Sequence, residues 1–418
     1  MSQNQPEISK NLQNNQNQKW IPLFLAIFIA LVVDGMDLQI LNLCLPVLRV
    51  DFAVSQIEVG ALSSVTLVGM GIGALFAGVL SDRIGRVKVT IVSLVVFSSF
   101  TVLLGFTQNY WQFVVVRFLS GFGIAALYSI GTLLVAESVP DKHRGVVMGT
   151  LQAGWSVGYI CAALLSSAVL PDYGWRPMFI ISVIPAIISF IVLLRTKEPA
   201  SFQAAQERKQ TVKKQNEYAK IWNNKSVRKV FLVWAIANIA LQFGYYGANT
   251  WLPSYLVTDL GMDLKNMSLY IAGTYTAMVA GKILAGFLAD RLGRKGIWVV
   301  GGLVTAVAIP LIVMFANTSN VIFLMIVFGF LYAIPYALLA AFMSESFPVE
   351  VRGTSVATMS SIGKIGSVTA PIFIGMMAAQ NSIGFGIALL GIAYAICAIL
   401  PGLFIKEKAY DPSSVEEA

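Results

Sequence analysis

Charged residues are scarce in this 418-residue sequence: Asp, Glu, Lys and Arg together make up 12% of it, whereas an average soluble domain contains about 25%. Cysteine occurs only at Cys44, Cys161 and Cys397, each within an apolar run, which predicts reduced packing residues and no disulfide framework. His143 is the single histidine. No residues have the spacing of a metal site, or of a catalytic nucleophile with its base, so the sequence indicates neither an enzyme nor a bound cofactor.

Long apolar runs fill most of the chain, and hydrophobic residues make up 57% of it. Windows of about 20 apolar residues are long enough to cross a bilayer as a helix. The sequence therefore predicts an all-α polytopic membrane protein with twelve transmembrane helices. The predicted helices begin near Ile21, Gln56, Val89, Tyr110, Gly145, Trp175, Arg228, Met267, Gly296, Val321, Gly353 and Ser382.

Three polar segments divide the chain. Residues 1–19 and 406–418 are predicted cytoplasmic tails, and the first of them is predicted to be disordered. Residues 196–227 form a predicted cytoplasmic linker. It joins two predicted six-helix bundles, residues 20–195 and 228–405. Lys and Arg concentrate in the segments that are cytoplasmic if the amino terminus lies inside, as the positive-inside rule requires. This bias explains the net charge of +8 without a nucleic-acid partner. We expect a multi-pass protein of the inner (cytoplasmic) membrane, in contact with its lipid, with both termini in the cytoplasm.

The two halves of the chain repeat a loop motif. Residues 78–86 match residues 286–294, at the same offset that relates Glu137 to Glu345. One offset that serves two separate motifs indicates an internal duplication. Such a duplication predicts two related bundles, with a solute site between them near the membrane midplane.

Charged residues at the helix ends around these motifs are candidates for ion pairs that latch one state of the protein. We expect Glu137 to lie near Arg144, and Glu345 near Arg352. An alternative is that the loop arginines bind anionic lipid instead. The candidate gating residues are Asp82, Arg83, Arg86, Glu137, Arg144, Asp290, Arg291, Arg294, Glu345 and Arg352.

Two carboxylates interrupt the first apolar run. Asp34 and Asp37 lie one helical turn apart, and a charge at the bilayer centre costs about 2.5–3.5 kcal/mol. Arg117, in the fourth predicted helix, is about 10 Å from the outer end of its helix, and Asp37 is about 12 Å from the outer end of the first. The two can therefore face each other. An aspartate beside an arginine stays charged, and it takes up a proton when the arginine moves away in a dry cavity.

This arrangement predicts a proton-coupling group made of Asp34, Asp37 and Arg117. Because the chain has one histidine, proton coupling would have to use carboxylates. The alternative is a permanent structural ion pair between Asp37 and Arg117. Which of Asp34 and Asp37 carries the proton stays open.

Lys364 lies near the midplane of the eleventh predicted helix, about 16 Å from its cytoplasmic end. Small residues flank it, so we expect it to receive an anionic group of a solute; the alternative is an ion pair with a carboxylate of another helix. Lys282 is nearer the cytoplasmic end of the eighth helix, from which it can reach outward to the interface, and the sequence assigns it no function. Polar and aromatic residues at helical spacing are candidates for the same substrate site: Gln152, Trp155, Tyr245, Tyr246, Asn249, Tyr332 and Tyr336.

At residues 78–86 and 286–294 the chain resembles the major facilitator superfamily, and the resemblance covers nearly its whole length. Asp34-Gly35-Met36-Asp37 and residues 117–123 are similar to the first and fourth helices of the aromatic acid/proton symporters of that superfamily, and within this branch the chain resembles the muconate permeases. The resemblance implies the major facilitator fold and uptake of an aromatic acid, or of a ring-cleavage diacid such as muconate, by alternating access. It implies the proton gradient as driving force.

Other transport classes stay open at this stage. Residues 37–46 also resemble the first helix of drug/proton antiporters, but Gly154-Trp155-Ser156-Val157-Gly158 lacks the Gly-Pro and Gly-Gly pairs of their fifth helix. A uniporter or efflux pump for neutral or cationic solutes would not need Lys364. A solute sensor would need larger soluble extensions than residues 1–19 and 406–418. Nothing in the sequence requires more than a monomer.

Glycines at helical spacing predict close contacts between helices. The candidates are Gly69, Gly71, Gly73, Gly154, Gly158, Gly273 and Gly281.

Overall fold

The computed structural model describes residues 20–196, 198 and 221–406. Within them, twelve helices are long and apolar enough to cross a membrane, so the predicted all-α class with twelve spans is confirmed. The helices are α1 (Trp20–Asp51), α2 (Gln56–Ile84), α3 (Arg86–Leu104), α4 (Tyr110–Ser138), α5 (Asp141–Tyr173), α6 (Arg176–Ser182 and Ala186–Leu194), α7 (Lys225–Ser254), α8 (Leu264–Leu292), α9 (Arg294–Phe315), α10 (Val321–Tyr332 and Ile334–Glu345), α11 (Val349–Gln380) and α12 (Ile383–Phe404). A π-helical turn, Tyr255–Asp259, extends α7.

Side-chain caps fix where several helices begin. Asn109, Asn224 and Ser382 each accept a hydrogen bond from a backbone N–H in the first turn of α4, α7 and α12, respectively. Asp263 does the same for α8, where its carboxylate accepts the N–H of Asn266. These hydrogen bonds lower the pKa of Asp263, because they favour its charged form.

Prolines interrupt two of the spans. Pro185 immediately precedes the second piece of α6, and Pro335 is the second residue of the second piece of α10. A proline inside a helix removes one backbone donor and clashes with the preceding turn, so the helix breaks there. The break in α10 falls between Tyr332 and Tyr336, two of the candidate substrate residues.

The chain forms two compact units. Described residues within 1–41 and 65–213 belong to the first unit, and those within 42–64 and 214–418 belong to the second. The predicted bundles, 20–195 and 228–405, therefore stay a prediction about the two halves of the chain. The predicted tail 1–19, most of the linker and residues 407–418 lie outside the described residues.

Glycines allow backbones to touch inside each unit. A Cβ on Gly73 would overlap the backbone oxygen of Phe122, and a Cβ on Gly281 would overlap the backbone oxygen of Phe330. Gly69, Gly154 and Gly158 also lie against a neighbouring helix, whereas Gly71 and Gly273 have no neighbouring atom within 4 Å of that position. The contact prediction was wrong for these last two: Gly71 lies about 200° around the helix from Gly73, and at Gly273 no neighbouring backbone approaches.

The duplication extends to these contacts. Gly73 and Phe122 occupy the same repeat positions as Gly281 and Phe330. The close approach of Gly121 to Thr66 recurs as that of Gly329 to Thr274. The packing of α2 on α4 in the first unit is therefore repeated by α8 on α10 in the second.

Candidate functional site

The first unit contains a fully buried ion pair. Asp37 on α1 and Arg117 on α4 are both 0% exposed, and Arg117 Nη1 donates to Asp37 Oδ2 over 2.7 Å. Arg117 Nη2 donates to the backbone oxygen of Asp37 over 3.1 Å. The structure therefore brings together the two residues that were placed at similar depth from the sequence.

Hydroxyl groups complete the hydrogen bonds of this pair. Thr66 Oγ1 accepts from Arg117 Nε over 3.0 Å, and Thr101 Oγ1 donates to Asp37 Oδ1 over 3.1 Å. Ser120 Oγ lies 3.1 Å from the Thr101 hydroxyl. Both oxygens of the Asp37 carboxylate are thus occupied, which a buried charge pair requires if it is to be stable.

Sequence analysis missed Thr66, Thr101 and Ser120. Isolated hydroxyl residues within apolar spans are common, and most of them bond to their own helix backbone, as Thr90 and Thr305 do here. The signal that could have indicated Thr66 is its neighbour: Gly121, one turn after Arg117, allows α4 to approach the α2 backbone at Thr66.

Asp34 has a different environment from Asp37. Its Oδ2 accepts the indole N–H of Trp155 over 2.9 Å, and it is 0% exposed. Its Oδ1 is buried and has no hydrogen-bond partner among the residues that the structure describes. No arginine or lysine pairs with it within that part of the chain. Asp34 is thus a buried carboxylate, and one of its oxygens has no hydrogen-bond partner among the described residues.

A short aromatic row adjoins Asp34. The Trp155 ring stacks on Tyr159 at 6.3 Å and lies 5.6 Å from Tyr128, measured between ring centroids. The Tyr128 hydroxyl is hydrogen-bonded to the Gln152 side chain. The candidate residues Gln152 and Trp155 therefore belong to the neighbourhood of Asp34 in the first unit, whereas the remaining substrate candidates lie in the second unit.

The second unit contains a group of stacked tyrosines, which we call the tyrosine cluster: Tyr245, Tyr246, Tyr332 and Tyr336. Tyr245 stacks on Tyr336, with ring centroids 4.1 Å apart and planes 18° apart, and on Tyr332 at 5.4 Å and 13°. Tyr246 meets Tyr245 edge-on at 5.6 Å. The rings of α7 thus pack on rings from both pieces of α10.

Polar groups hold the tyrosine cluster in place. The Tyr332 hydroxyl donates to Asn249 Oδ1 over 3.1 Å, and Asn249 Nδ2 donates to the backbone oxygen of Tyr245. Tyr394 on α12 donates its hydroxyl to the backbone oxygen of Tyr332. Five of the predicted substrate residues, the four tyrosines and Asn249, therefore form one connected group.

Lys282 on α8 also lies at the tyrosine cluster. Its Nζ is 5.8 Å from the ring centroid of Tyr245 and 5.7 Å from that of Tyr336, within the range of a cation–π contact. The expectation that Lys282 reaches outward was wrong. The aromatic faces, which carry negative charge density, attract its ammonium group to the rings instead.

Lys364 lies fifteen residues after the start of α11 at Val349, because the helix begins one turn earlier than predicted. Its side chain is half-buried. In the described ranges of the chain, no carboxylate forms an ion pair with it. The alternative hypothesis, a structural ion pair of Lys364 with a carboxylate of another helix, is therefore not supported there. The Ser367 hydroxyl donates to its backbone oxygen.

The gating candidates form pairs different from those expected. Glu137 pairs with Arg86, and Glu345 pairs with Arg294, which also lies 3.8 Å from Asp290. Arg352 donates to the backbone oxygen of Phe347 instead of pairing with Glu345. The expectation for Arg352 was therefore wrong: the first turn of α9, which follows Gly293, brings Arg294 to the end of α10.

Four gating candidates remain: Asp82, Arg83, Arg144 and Arg291. The side chains of Asp82 and Arg144 lie outside the described part of the chain, so the expected contact of Arg144 with Glu137 lies outside it too. Arg83 is exposed, and the Arg291 guanidinium lies 4.1 Å from the ring centroid of Phe287.

Sequence analysis missed Glu198, whose carboxylate accepts the backbone N–H of Arg86 over 2.9 Å and so caps α3.

Comparisons with known proteins agree with this architecture. Residues 27–274 and 256–418 match the model of the Major Facilitator Superfamily. The chain is similar to the cis,cis-muconate transport protein of Acinetobacter baylyi, with 45% identity over 96% of this chain and 98% of that protein. It is also similar to the gentisate transporter of Corynebacterium glutamicum, with 27% identity over 88% of this chain and 85% of that protein.

Among solved structures, the crystal structure of the D-xylose-proton symporter superposes with a TM-score of 0.78 at 20% identity, and the match covers 93% of this chain and 99% of that one. Identity at that level establishes a common fold. Together with the family match along the chain and the twelve spans, it identifies a multi-pass transport protein rather than an enzyme. The chain belongs to the Major Facilitator Superfamily.

Proposed function

We propose that this protein imports an organic carboxylate, an aromatic acid or a ring-cleavage diacid such as muconate, together with protons. The observation that carries the proposal is the division of charge between the units. The first unit buries two carboxylates, Asp34 and Asp37, and the second places two lysines, Lys282 and Lys364, among aromatic and small side chains. Buried carboxylates can bind and release a proton. Cations beside aromatic rings can bind the carboxylate of an unsaturated acid while the rings pack against its planar part.

Asp34 is the proposed proton-binding residue. Asp37 already receives hydrogen bonds at both carboxylate oxygens, so a proton there would have to displace Arg117 or Thr101. Asp34 has a buried oxygen with no partner within the described residues. A proton on Oδ1 would neutralise a carboxylate that forms no ion pair within the described residues, and it would displace no existing hydrogen bond.

The names of the relatives support the proposed substrate class. The Acinetobacter relative is named for cis,cis-muconate and the Corynebacterium relative for gentisate, and both substrates are unsaturated carboxylic acids. The tyrosine cluster with its lysine offers flat aromatic surface beside a positive charge. We propose further that transport proceeds by alternating access in the inner membrane, that both termini are cytoplasmic, that the protein works as a monomer, and that it needs no cofactor besides the proton gradient.

The test is uptake into proteoliposomes that contain the purified protein. Labelled cis,cis-muconate, benzoate and a neutral sugar are supplied with and without an inward proton gradient. We expect the acid to accumulate above its external concentration, an uncoupler to abolish the accumulation, and the sugar to stay outside. Absence of acid uptake, combined with gradient-driven loss of a preloaded amphipathic drug, would contradict the proposal and indicate a drug/proton antiporter.

A further inference from the structure

We propose that Lys282 binds one carboxylate of a dicarboxylate substrate while Lys364 binds the other, so that the two lysines select diacids over monoacids. This inference rests on the proposed function, because it names the substrate class of the same site. It assigns a role to Lys282, which its place in the sequence did not suggest.

The position of the Lys282 ammonium group is the first argument. Its distances to the centroids of Tyr245 and Tyr336 are nearly equal, 5.8 and 5.7 Å, while the two rings stack at 4.1 Å. The charge therefore lies at the junction of two stacked rings. A carboxylate that reaches the side of this stack would meet the ammonium group, which can donate hydrogen bonds to it.

The depth of the two lysines is the second argument. Lys282 is ten residues, or about 15 Å, from the end of α8 at Leu292, and Lys364 is fifteen residues, or about 22 Å, from the start of α11 at Val349. These two helix ends lie on the same side of the membrane, because α9 and α10 each cross it between them. Both lysines therefore lie well inside the spans, at depths that differ by about 7 Å.

The third argument is the commitment of the other deep cation. Arg117 is 0% exposed, and its guanidinium already donates to Asp37 and Thr66. A carboxylate of the substrate could recruit it only by breaking that network. The other arginines and lysines within the described ranges lie near helix ends or outside the spans. Two carboxylates on one substrate thus match the two lysines of the second unit.

The test compares cis,cis-muconate with its monomethyl ester, which keeps the diene and loses one charge. Binding of both to the purified protein is measured by competition with labelled muconate. We expect wild-type protein to prefer the diacid by about tenfold to a hundredfold, since one charge-assisted hydrogen bond is lost with the ester. Equal affinity for the two ligands in the wild-type protein would overturn the inference without any substitution.

Substitutions then test which lysine causes the preference for the diacid. Lys282→Gln should weaken muconate binding by about tenfold or more and leave ester binding nearly unchanged, whereas the matched variant Lys364→Gln should weaken both. Lys282→Arg should keep the preference for the diacid. Retained ester binding shows that Lys282→Gln is folded, and an unchanged thermal unfolding temperature in detergent shows the same for Lys364→Gln. If Lys282→Gln changes both ligands equally, or neither, Lys282 only packs against the tyrosines and the inference fails.

The outcomes also separate the inference from the proposed function. If the wild-type protein accumulates benzoate with protons but does not prefer the diacid, the proposed function stands and the inference fails. If it neither binds nor transports any acid, both fail.

Discussion

Asp34 and Asp37 lie one turn apart on α1, yet their carboxylates have opposite surroundings. The two oxygens of Asp37 accept hydrogen bonds from Arg117 and Thr101. Asp34 accepts one from Trp155, and its other oxygen has no hydrogen-bond partner among the described residues. The proposed function assigns them different roles: Asp37 would hold α1 and α4 together, and Asp34 would bind the proton.

The role of Asp34 can be tested by separating exchange from accumulation. Asp34→Asn keeps the shape of the side chain and an acceptor for Trp155 but cannot change charge. We expect the variant to lose accumulation driven by a proton gradient and to retain exchange of labelled for unlabelled acid across the proteoliposome membrane. Accumulation at the wild-type level would contradict the assignment.

Removal of the Asp37 charge should affect stability first. Asp37→Asn leaves the Arg117 guanidinium buried without its counter-charge, which costs about 3–5 kcal/mol for a pair of this kind. We expect a marked fall in the thermal unfolding temperature in detergent. The double variant Asp37→Asn with Arg117→Gln removes both charges and should recover part of the loss. If the single variant is as stable as the wild type, the Asp37–Arg117 ion pair does not stabilise the fold.

Glycine substitutions test the close contact of α2 with α4. Gly73→Ala places a methyl group against the backbone of Phe122, and overpacking of this kind costs about 1–3 kcal/mol. Gly71→Ala, two residues away, meets open space and serves as the matched control. We expect a lower unfolding temperature for the first variant only. Gly281→Ala and Gly273→Ala should reproduce the contrast in the second unit.

The pair of Arg294 with Glu345 predicts an effect on transport rate. Glu345→Gln should change the rate of acid uptake by up to about fivefold, because a partly exposed ion pair is worth no more than about 1 kcal/mol. Exchange of both charges, Arg294→Glu with Glu345→Arg, should restore most of the rate. Arg352→Gln is the control, since Arg352 bonds a backbone oxygen. An equal effect of Arg352→Gln would argue against a specific latch.

Sequence reasoning placed the elements well because hydrophobic length is a strong signal. It also brought Asp37 to Arg117, since depth along a helix follows from counting residues. It failed where the answer depends on which side of a helix faces a neighbour. Gly71 and Gly73 look alike in the sequence, and Lys282 looks like a residue that reaches the interface until the rings of Tyr245 and Tyr336 are placed beside it.

The wrong partner for Glu345 has a related cause. Arg352 is seven residues away in the chain, and Arg294 is much farther, so proximity in the sequence favoured Arg352. A sharp turn at Gly293, whose φ is 92°, places α9 so that the more distant arginine reaches the carboxylate. Contacts between helices that are distant in the chain are decided by such turns.

The repeated packing of glycine on phenylalanine has an evolutionary consequence. The steric contacts survive in both copies of the duplication, Gly73 with Phe122 and Gly281 with Phe330, whereas Asp34 and Asp37 correspond to Gln242 and Tyr245 in the second copy. The two copies therefore share this steric contact and have diverged in their buried charges. If the two lysines bind the substrate as proposed, substitutions at Lys282 and Lys364 would alter substrate choice and leave the Asp37–Arg117 pair of the first half intact.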